Sequence, residues 1–222
     1  MAYPGDIANP DVAETSLNTT AKHFGRLDIV VVNAGVAQFH DFLSAPDSLI
    51  ESHVSVNVKG AYFTVRAAGR ILKAQGQGGS IIGISSVSAL TGSKELVHYT
   101  PTKAAVLNLM QSSAVALGAY GIRCNSILPG TIRTQLNAED LAKGNKAEQV
   151  ASRAALGRVG VPQDVSIARS PSNFQSERTA LTHVDCVVWQ IAGPALFLAS
   201  HLSNYMVGSE HTSTWAVLTK FD

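Results

Sequence analysis

Tyr99-Thr100-Pro101-Thr102-Lys103 places a phenol and an ammonium four residues apart. One turn of helix returns such a pair almost to the same face, so the two groups can converge on one site. A nearby ammonium favours phenolate and lowers a tyrosine pKa from about 10 toward neutrality. A tyrosine of that kind takes a proton from an alcohol as hydride leaves its carbon, or returns one in the reverse direction. Ser86 lies thirteen residues earlier, just beyond an apolar run that ends at Ile84. Taken singly, each residue has a plainer explanation. The pair is a solvated helix face, Ser86 a loop serine bonding its own backbone, and Asn57 a cap where a helix breaks.

The surrounding elements argue against those plainer explanations. Helical and strand signals alternate, which predicts βαβ units and a mostly parallel sheet in a single domain spanning residues 1–222. Asn9 suits an N-cap, Pro10 a first helical position and Gly25 a helix stop. The run from Asp28 to Gly35 is continuously apolar before its turn and predicts a strand buried on both faces. Residues 46–75 predict helix with a break near Asn57 to Gly60. Ser80 to Ile84 predicts a second strand, Thr100 to Tyr120 a long helix, Gly121 to Leu128 a third strand, and residues 135–157 further helix. Trp215 to Leu218 fits one last strand. In open parallel sheets ligands bind beyond the carboxyl ends of the strands. Asn33-Ala34-Gly35, Ser85-Ser86 and Pro129-Gly130-Thr131 are three such ends, all polar or small.

Acyl transfer is excluded by the missing nucleophile elbow, because Gly83-Ile84-Ser85-Ser86-Val87 lacks the second glycine of GxSxG. The 17 basic against 16 acidic residues leave no electrostatic footprint for nucleic acid or an anionic membrane. No apolar run is long enough to span a bilayer, and the first residues lack the basic and apolar regions of a signal peptide. A cytoplasmic protein is therefore expected. Cys124, Cys186 and seven scattered histidines give no disulfide framework and no metal-ligand spacing, so no metal site is expected. With 45 % apolar and 15 % charged residues the chain can build a core.

In order, Asn33-Ala34-Gly35, Asn57, Ile84-Ser85-Ser86, Tyr99-xxx-Lys103 and Pro129-Gly130-Thr131-Ile132-Arg133-Thr134 resemble the short-chain dehydrogenase/reductase family, over residues 5–164 and 191 to about 210. Within it, the stretches GGSIIGISSVSALTG, HYTPTKA, LMQS and GIRCNSILPGTI look especially like fungal L-rhamnose 1-dehydrogenases, which oxidise a sugar's anomeric hydroxyl to a lactone. The resemblance implies a Rossmann-like doubly wound α/β sheet and an NAD(P)-dependent oxidoreductase acting on a secondary or anomeric hydroxyl. It also implies a homo-oligomer, through helices near 61–74 and 104–118. It assigns catalysis to Asn57, Ser86, Tyr99 and Lys103. Tyr99 is the general base, Lys103 lowers its pKa and holds the nicotinamide ribose, Ser86 bonds the reacting oxygen, and Asn57 anchors a water in the proton relay. Asp6, Ile7, Asn33, Ala34, Gly35, Tyr99, Lys103, Pro129, Gly130, Thr131, Ile132 and Thr134 are the implied cofactor contacts. Ser86, Ser88, His98, Tyr99 and the segment Gln135 to Leu141 are the implied substrate contacts.

The chain also departs from the family. It has no glycine-rich turn for a pyrophosphate, since Gly76-Gln77-Gly78-Gly79-Ser80 has neither the spacing nor a preceding strand. Asp6 stands where about two strands and two helices of the family have already passed. The expectation is an N-terminally truncated chain without the first βαβ portion, with the Asp28 strand as an exposed apolar edge. The residue that selects NAD or NADP lies in that portion, so both dinucleotides stay open. No dehydrogenase activity is expected of such a chain alone. The rival reading is a catalytically inactive product that binds no dinucleotide and serves as an association module. Finally, deleting Val165 to Gln190 joins GRVGVPQD to IAGPALFLAS and restores the family's text. Valine-serine at its start, Leu181-Thr182 and Gln190 can be encoded by a splice donor, a branch site and an acceptor, so the expectation is a non-family insert of 26 residues from a retained intron.

Overall fold

The computed structural model describes residues 1–154, 156–161 and 189–212. Helix α1 (Pro10–Phe24) begins at Asn9, whose side chain accepts from the Asp11 N–H, and stops at Gly25 in the left-handed region at φ 84°. Strand β1 (Ile29–Val32) follows. Residues 47–75 form one helical rod rather than two helices with a gap. It comprises α2 (Asp47–His53), a π-helical stretch (Val54–Gly60) and α3 (Ala61–Gln75). The predicted break at Asn57 is therefore a widened turn, a feature that recurs at functional sites. Strand β2 (Gly79–Ile84), α4 (Thr100–Leu117), β3 (Ile122–Leu128), α5 (Ala138–Leu141), α6 (Lys146–Arg153), α7 (Trp189–Ala199) and β4 (Glu210–Thr212) complete the order.

The sheet is parallel throughout, in the order β1-β2-β3-β4. One face carries Val30, Val32, Ile81 and Cys124, packed against Ala61, Val65, Ala68 and Leu72 of α3 and against Val106, Met110 and Ala114 of α4. The opposite face carries Ile82, Ile84 and Ile127 under Ala195 and Leu198 of α7. That second layer covers β2 and β3 but stops short of β1. The Asp28 run is consequently not buried on both faces. Ile29 and Val31 are 45 % and 44 % exposed, while Val30 and Val32 are buried. As β1 is an edge of the described sheet, the exposed apolar edge is present.

The last described strand is Glu210–Thr212, which pairs with Ser126 to Leu128. Trp215 to Leu218 lies outside the described residues, as does residue 165–190 except Trp189 and Gln190, which open α7. No helix among the described residues is long and apolar enough to cross a membrane.

Candidate active site

Parallel strands point their carboxyl ends in one direction, and at that edge the structure gathers Asn57, Ser86, Tyr99 and Lys103 from three separate elements. Ser85 ties two of these elements together, because its hydroxyl donates to the Lys103 carbonyl at 2.7 Å and so locks the first turn of α4 to the end of β2. The buried Lys103 ammonium donates to the Ile84 carbonyl at 2.9 Å and lies 5.7 Å from the centroid of the Tyr99 ring. Ser86 is extended and caps the 3₁₀ turn Val87–Ala89, its Oγ accepting from the Ser88 N–H at 3.1 Å. A hydrogen bond between the same hydroxyl and the Tyr99 phenol favours the ionised form of Tyr99.

Asn57 is 1 % exposed, and its amide makes three hydrogen bonds. Oδ1 accepts from the Val36 N–H at 2.8 Å, and Nδ2 donates to the Val36 carbonyl and to Thr102 Oγ1, each at 3.0 Å. Thr102 in turn donates to the Tyr99 carbonyl at 2.7 Å. The side chain thus fastens the loop after β1 to the start of α4. Replacing it should loosen both. Asn57→Ala is expected to cost about 1–3 kcal/mol, since the buried Thr102 hydroxyl loses its donor along with the two bonds to the Val36 backbone, and urea unfolding will measure the loss.

The electrostatics differ from the sequence expectation. Tyr99 is not brought toward neutrality. Burial pushes its phenol up to about 12, and the Ser86 hydrogen bond offsets only part of that rise. Burial likewise pulls Lys103 down to about 8. Desolvation penalises the charged form of each group, and in the unliganded protein that penalty outweighs their proximity. At neutral pH the site therefore holds a protonated phenol beside an ammonium.

The nicotinamide end of a dinucleotide fits this arrangement. The buried ammonium can donate three hydrogen bonds but has a single acceptor among the described residues, Ile84. Gly35 lies at the same point, where an added Cβ would sit 3.3 Å from both Lys103 Nζ and Asn57 Oδ1. Asn33, Ala34 and Gly35 are exposed on the loop after β1 and open to a ligand. Pro129 and Gly130 are half-buried after β3, with the Pro129 carbonyl accepting from the Val87 N–H at 3.0 Å. Thr131 is exposed, Ile132 is buried against Gly160, and the Thr134 N–H donates to Asn137 Oδ1 at 3.0 Å. At the other end, the Asp6 carboxylate accepts from the Ala8 N–H at 2.9 Å, and Ile7 packs on Gly60.

Of the candidate substrate contacts, Ser88 sits in the turn beside Ser86, and Gln135 to Leu141 leads from β3 into α5. His98 is buried rather than presented at the surface. Its Nε2–H donates to the Gln38 carbonyl at 2.6 Å, and its Nδ1 has no partner among the described residues. His53 stacks edge-on against it at 4.7 Å and approaches the Tyr99 ring at 6.4 Å. Burial lowers the His53 pKa. Sequence reasoning missed His53 and Thr102, whose contacts with His98 and Asn57 cross between distant segments, and it gave Ser85 no role beyond its place at the strand end. No three His, Cys, Asp or Glu side chains among the described residues could hold a metal ion.

A parallel sheet with a Ser–Tyr–Lys cluster at its carboxyl edge defines a Rossmann-like dehydrogenase. A family model described as Enoyl-(Acyl carrier protein) reductase matches residues 1–170. The chain is 43 % identical over 209 residues to an L-rhamnose 1-dehydrogenase (NAD(P)(+)) of Sphingomonas sp. (strain SKA58), covering 94 % of this chain and 72 % of that one. It is 45 % identical over 211 residues to an L-rhamnose-1-dehydrogenase of Scheffersomyces stipitis, covering 95 % and 71 %. The crystal structure of a short-chain type dehydrogenase/reductase from Mycobacterium marinum superposes with a TM-score of 0.78 at 31 % identity, covering 96 % and 73 %. The chain belongs to the short-chain dehydrogenase/reductase family of oxidoreductases.

Proposed function

We propose that the protein is an NAD(P)-dependent sugar dehydrogenase that oxidises the anomeric hydroxyl of L-rhamnose, or of a similar sugar, to the lactone. The observation that carries this reading is the convergence of Ser86, Tyr99, Lys103 and Gly35 at one strand edge, in a chain more than two-fifths identical to L-rhamnose dehydrogenases from a bacterium and a yeast. When bound, the oxidised nicotinamide supplies the hydride acceptor and a positive charge beside the phenol. Ser86 Oγ holds the sugar's C1 oxygen; Tyr99, once the bound reactants and Lys103 have favoured release of its own phenol proton to solvent, takes the proton of that hydroxyl on Oη. Lys103 remains an ammonium below its pKa of about 8 and donates its free hydrogen bonds to the ribose hydroxyls. Asn33, Ala34, Gly35 and Pro129 to Thr134 line the nicotinamide half, with Asp6 and Ile7 toward the adenine. The missing glycine-rich turn argues against turnover by this chain alone, but the clustered Ser86, Tyr99, Lys103 and Gly35 support the opposite expectation, that mixing the full chain with L-rhamnose and NAD⁺ or NADP⁺ produces the reduced dinucleotide. No product from a chain that demonstrably binds dinucleotide would refute the reading.

A second reading is favoured by one feature, the lack of a glycine-rich turn anywhere in the sequence. On that reading the chain keeps its four clustered residues, binds no dinucleotide and acts as an association module. A titration with NADP⁺ separates the two. The first reading also carries a cytoplasmic location and a homo-oligomer formed through α3 and α4. We further propose that 165–190 is translated intron. Transcript sequencing should then find a major species lacking those 78 nucleotides, whereas a dominant transcript retaining them would sink the idea.

A further inference from the structure

Lys146, at the start of α6, lies far in sequence from the catalytic cluster but touches three segments that surround it. Its Nζ donates to Asp140 Oδ1 of α5 at 2.8 Å and to the Glu95 carboxylate, and it sits 5.0 Å from the centroid of the Phe39 ring. Asp140 is a charged side chain only 6 % exposed, and its second cation, Lys143, is at 3.7 Å. Losing Lys146 would therefore leave a nearly buried carboxylate with one distant, solvated partner. Glu95 is equally well placed on the other side. It belongs to the loop that enters α4, one residue before Leu96, whose carbonyl accepts from the N–H groups of Tyr99 and Thr100 at 2.9 Å. The Glu95 carbonyl accepts from the His40 N–H at 3.0 Å, and Phe39 is the neighbour of His40.

The chain leaves β3 at Leu128, passes through α5 and α6, and is pinned at Lys146 to loops that follow β1 and β2. The α5–α6 segment therefore crosses the carboxyl edge of the sheet, above the end where Tyr99 lies. We propose that Lys146 is a positioning residue, a latch whose ammonium is shared between Asp140 and Glu95 and holds the α5–α6 segment closed as one wall of the substrate site. Burial works against the charge, but the two carboxylates more than offset it and raise the Lys146 pKa. The same pairing holds Glu95 below the usual carboxylate range. The latch itself is independent of the proposed chemistry; its effect on sugar affinity rests on that reading.

Hydrogen exchange on the unliganded full chain tests the latch. In Lys146→Met the amides of residues 138–153 should exchange at least about 10-fold faster, with those of β2, β3 and α4 unchanged, and Lys146→Arg should restore protection. Glu95→Gln, at a half-buried position, should give a smaller acceleration in the same segment, and it keeps the test sharp if the methionine variant folds poorly. Unchanged exchange in both variants would overturn the latch. In turnover assays Lys146→Met should raise the KM for L-rhamnose about 10-fold and leave kcat within about twofold. A fall in kcat at constant KM would overturn the positioning role. Absence of turnover in the unsubstituted chain would count against the proposed chemistry, while the exchange result would still decide the latch.

Discussion

Lys103→Met is expected to make the protein inactive and more stable at the same time. The ammonium is buried with one hydrogen-bond acceptor among the described residues, and burial lowers its pKa from 10.5 to about 8. A fall of that size corresponds to about 3 kcal/mol by which folding is opposed when the group is charged. The unfolded chain binds the proton up to its own, higher pKa, whereas the folded chain releases it from about pH 8. Stability of the unsubstituted protein should therefore rise between about pH 8 and 10 as the folded lysine becomes neutral. In the methionine variant that rise should vanish, and its Tm at pH 7 should be higher. Denaturation curves at pH 7 and pH 9.5 check both statements. Equal pH slopes for the two proteins would show that Lys103 is not held in a desolvated site. A stabilising loss of this kind is typical where a functional group is kept at a cost to the fold.

Tyr99→Phe should lower turnover by about 10²- to 10⁴-fold, the usual contribution of a positioned acid or base. The ring still packs against His53, so secondary structure and thermal stability should change little. Because the unliganded phenol titrates near 12, its proton is removed only when Ser86, Lys103 and the bound reactants favour the phenolate. The activity of the unsubstituted enzyme should accordingly increase toward alkaline pH in the oxidation direction, until Lys103 loses its charge above about pH 8. Steady-state kinetics on both proteins from pH 6 to 10 will show whether the variant loses this dependence along with its rate.

The elements that carry the site were legible because their signals are local. Asn9, Pro10 and Gly25 delimit α1 as a cap, a first-turn residue and a left-handed stop. The apolar runs ending at Ile84 and Leu128 are buried strands, and Pro101 falls in the first turn of α4. Two features were not legible, and both depend on what lies across space. The run Ile29 to Val32 is as apolar as a central strand, but no described helix covers the side on which Ile29 and Val31 point. Asn57 interrupts a helical pattern as a cap would. The backbone instead widens into a π-helical turn, and the amide bridges Val36 and Thr102.

The electrostatic misreading has the same origin. Spacing brings Tyr99 and Lys103 together, and from spacing alone an attractive interaction is the natural inference. Burial is invisible in the sequence, yet it dominates both groups and pushes each toward its neutral form. The Lys146 contacts were hidden for a further reason. Glu95, Asp140 and Phe39 are spread over a hundred residues, and no periodicity links them.

The central claim is hydride transfer from a sugar carbon at the edge where Ser86, Tyr99 and Lys103 meet. Its most direct test uses L-rhamnose carrying deuterium at C1, incubated with the full chain and NAD⁺ or NADP⁺, with mass spectrometry of the recovered dinucleotide. One deuterium is expected in the reduced nicotinamide, and none when Tyr99→Phe replaces the unsubstituted chain over the same interval. An unlabelled dinucleotide from a chain that binds it, or equal labelling by the variant, would contradict the account.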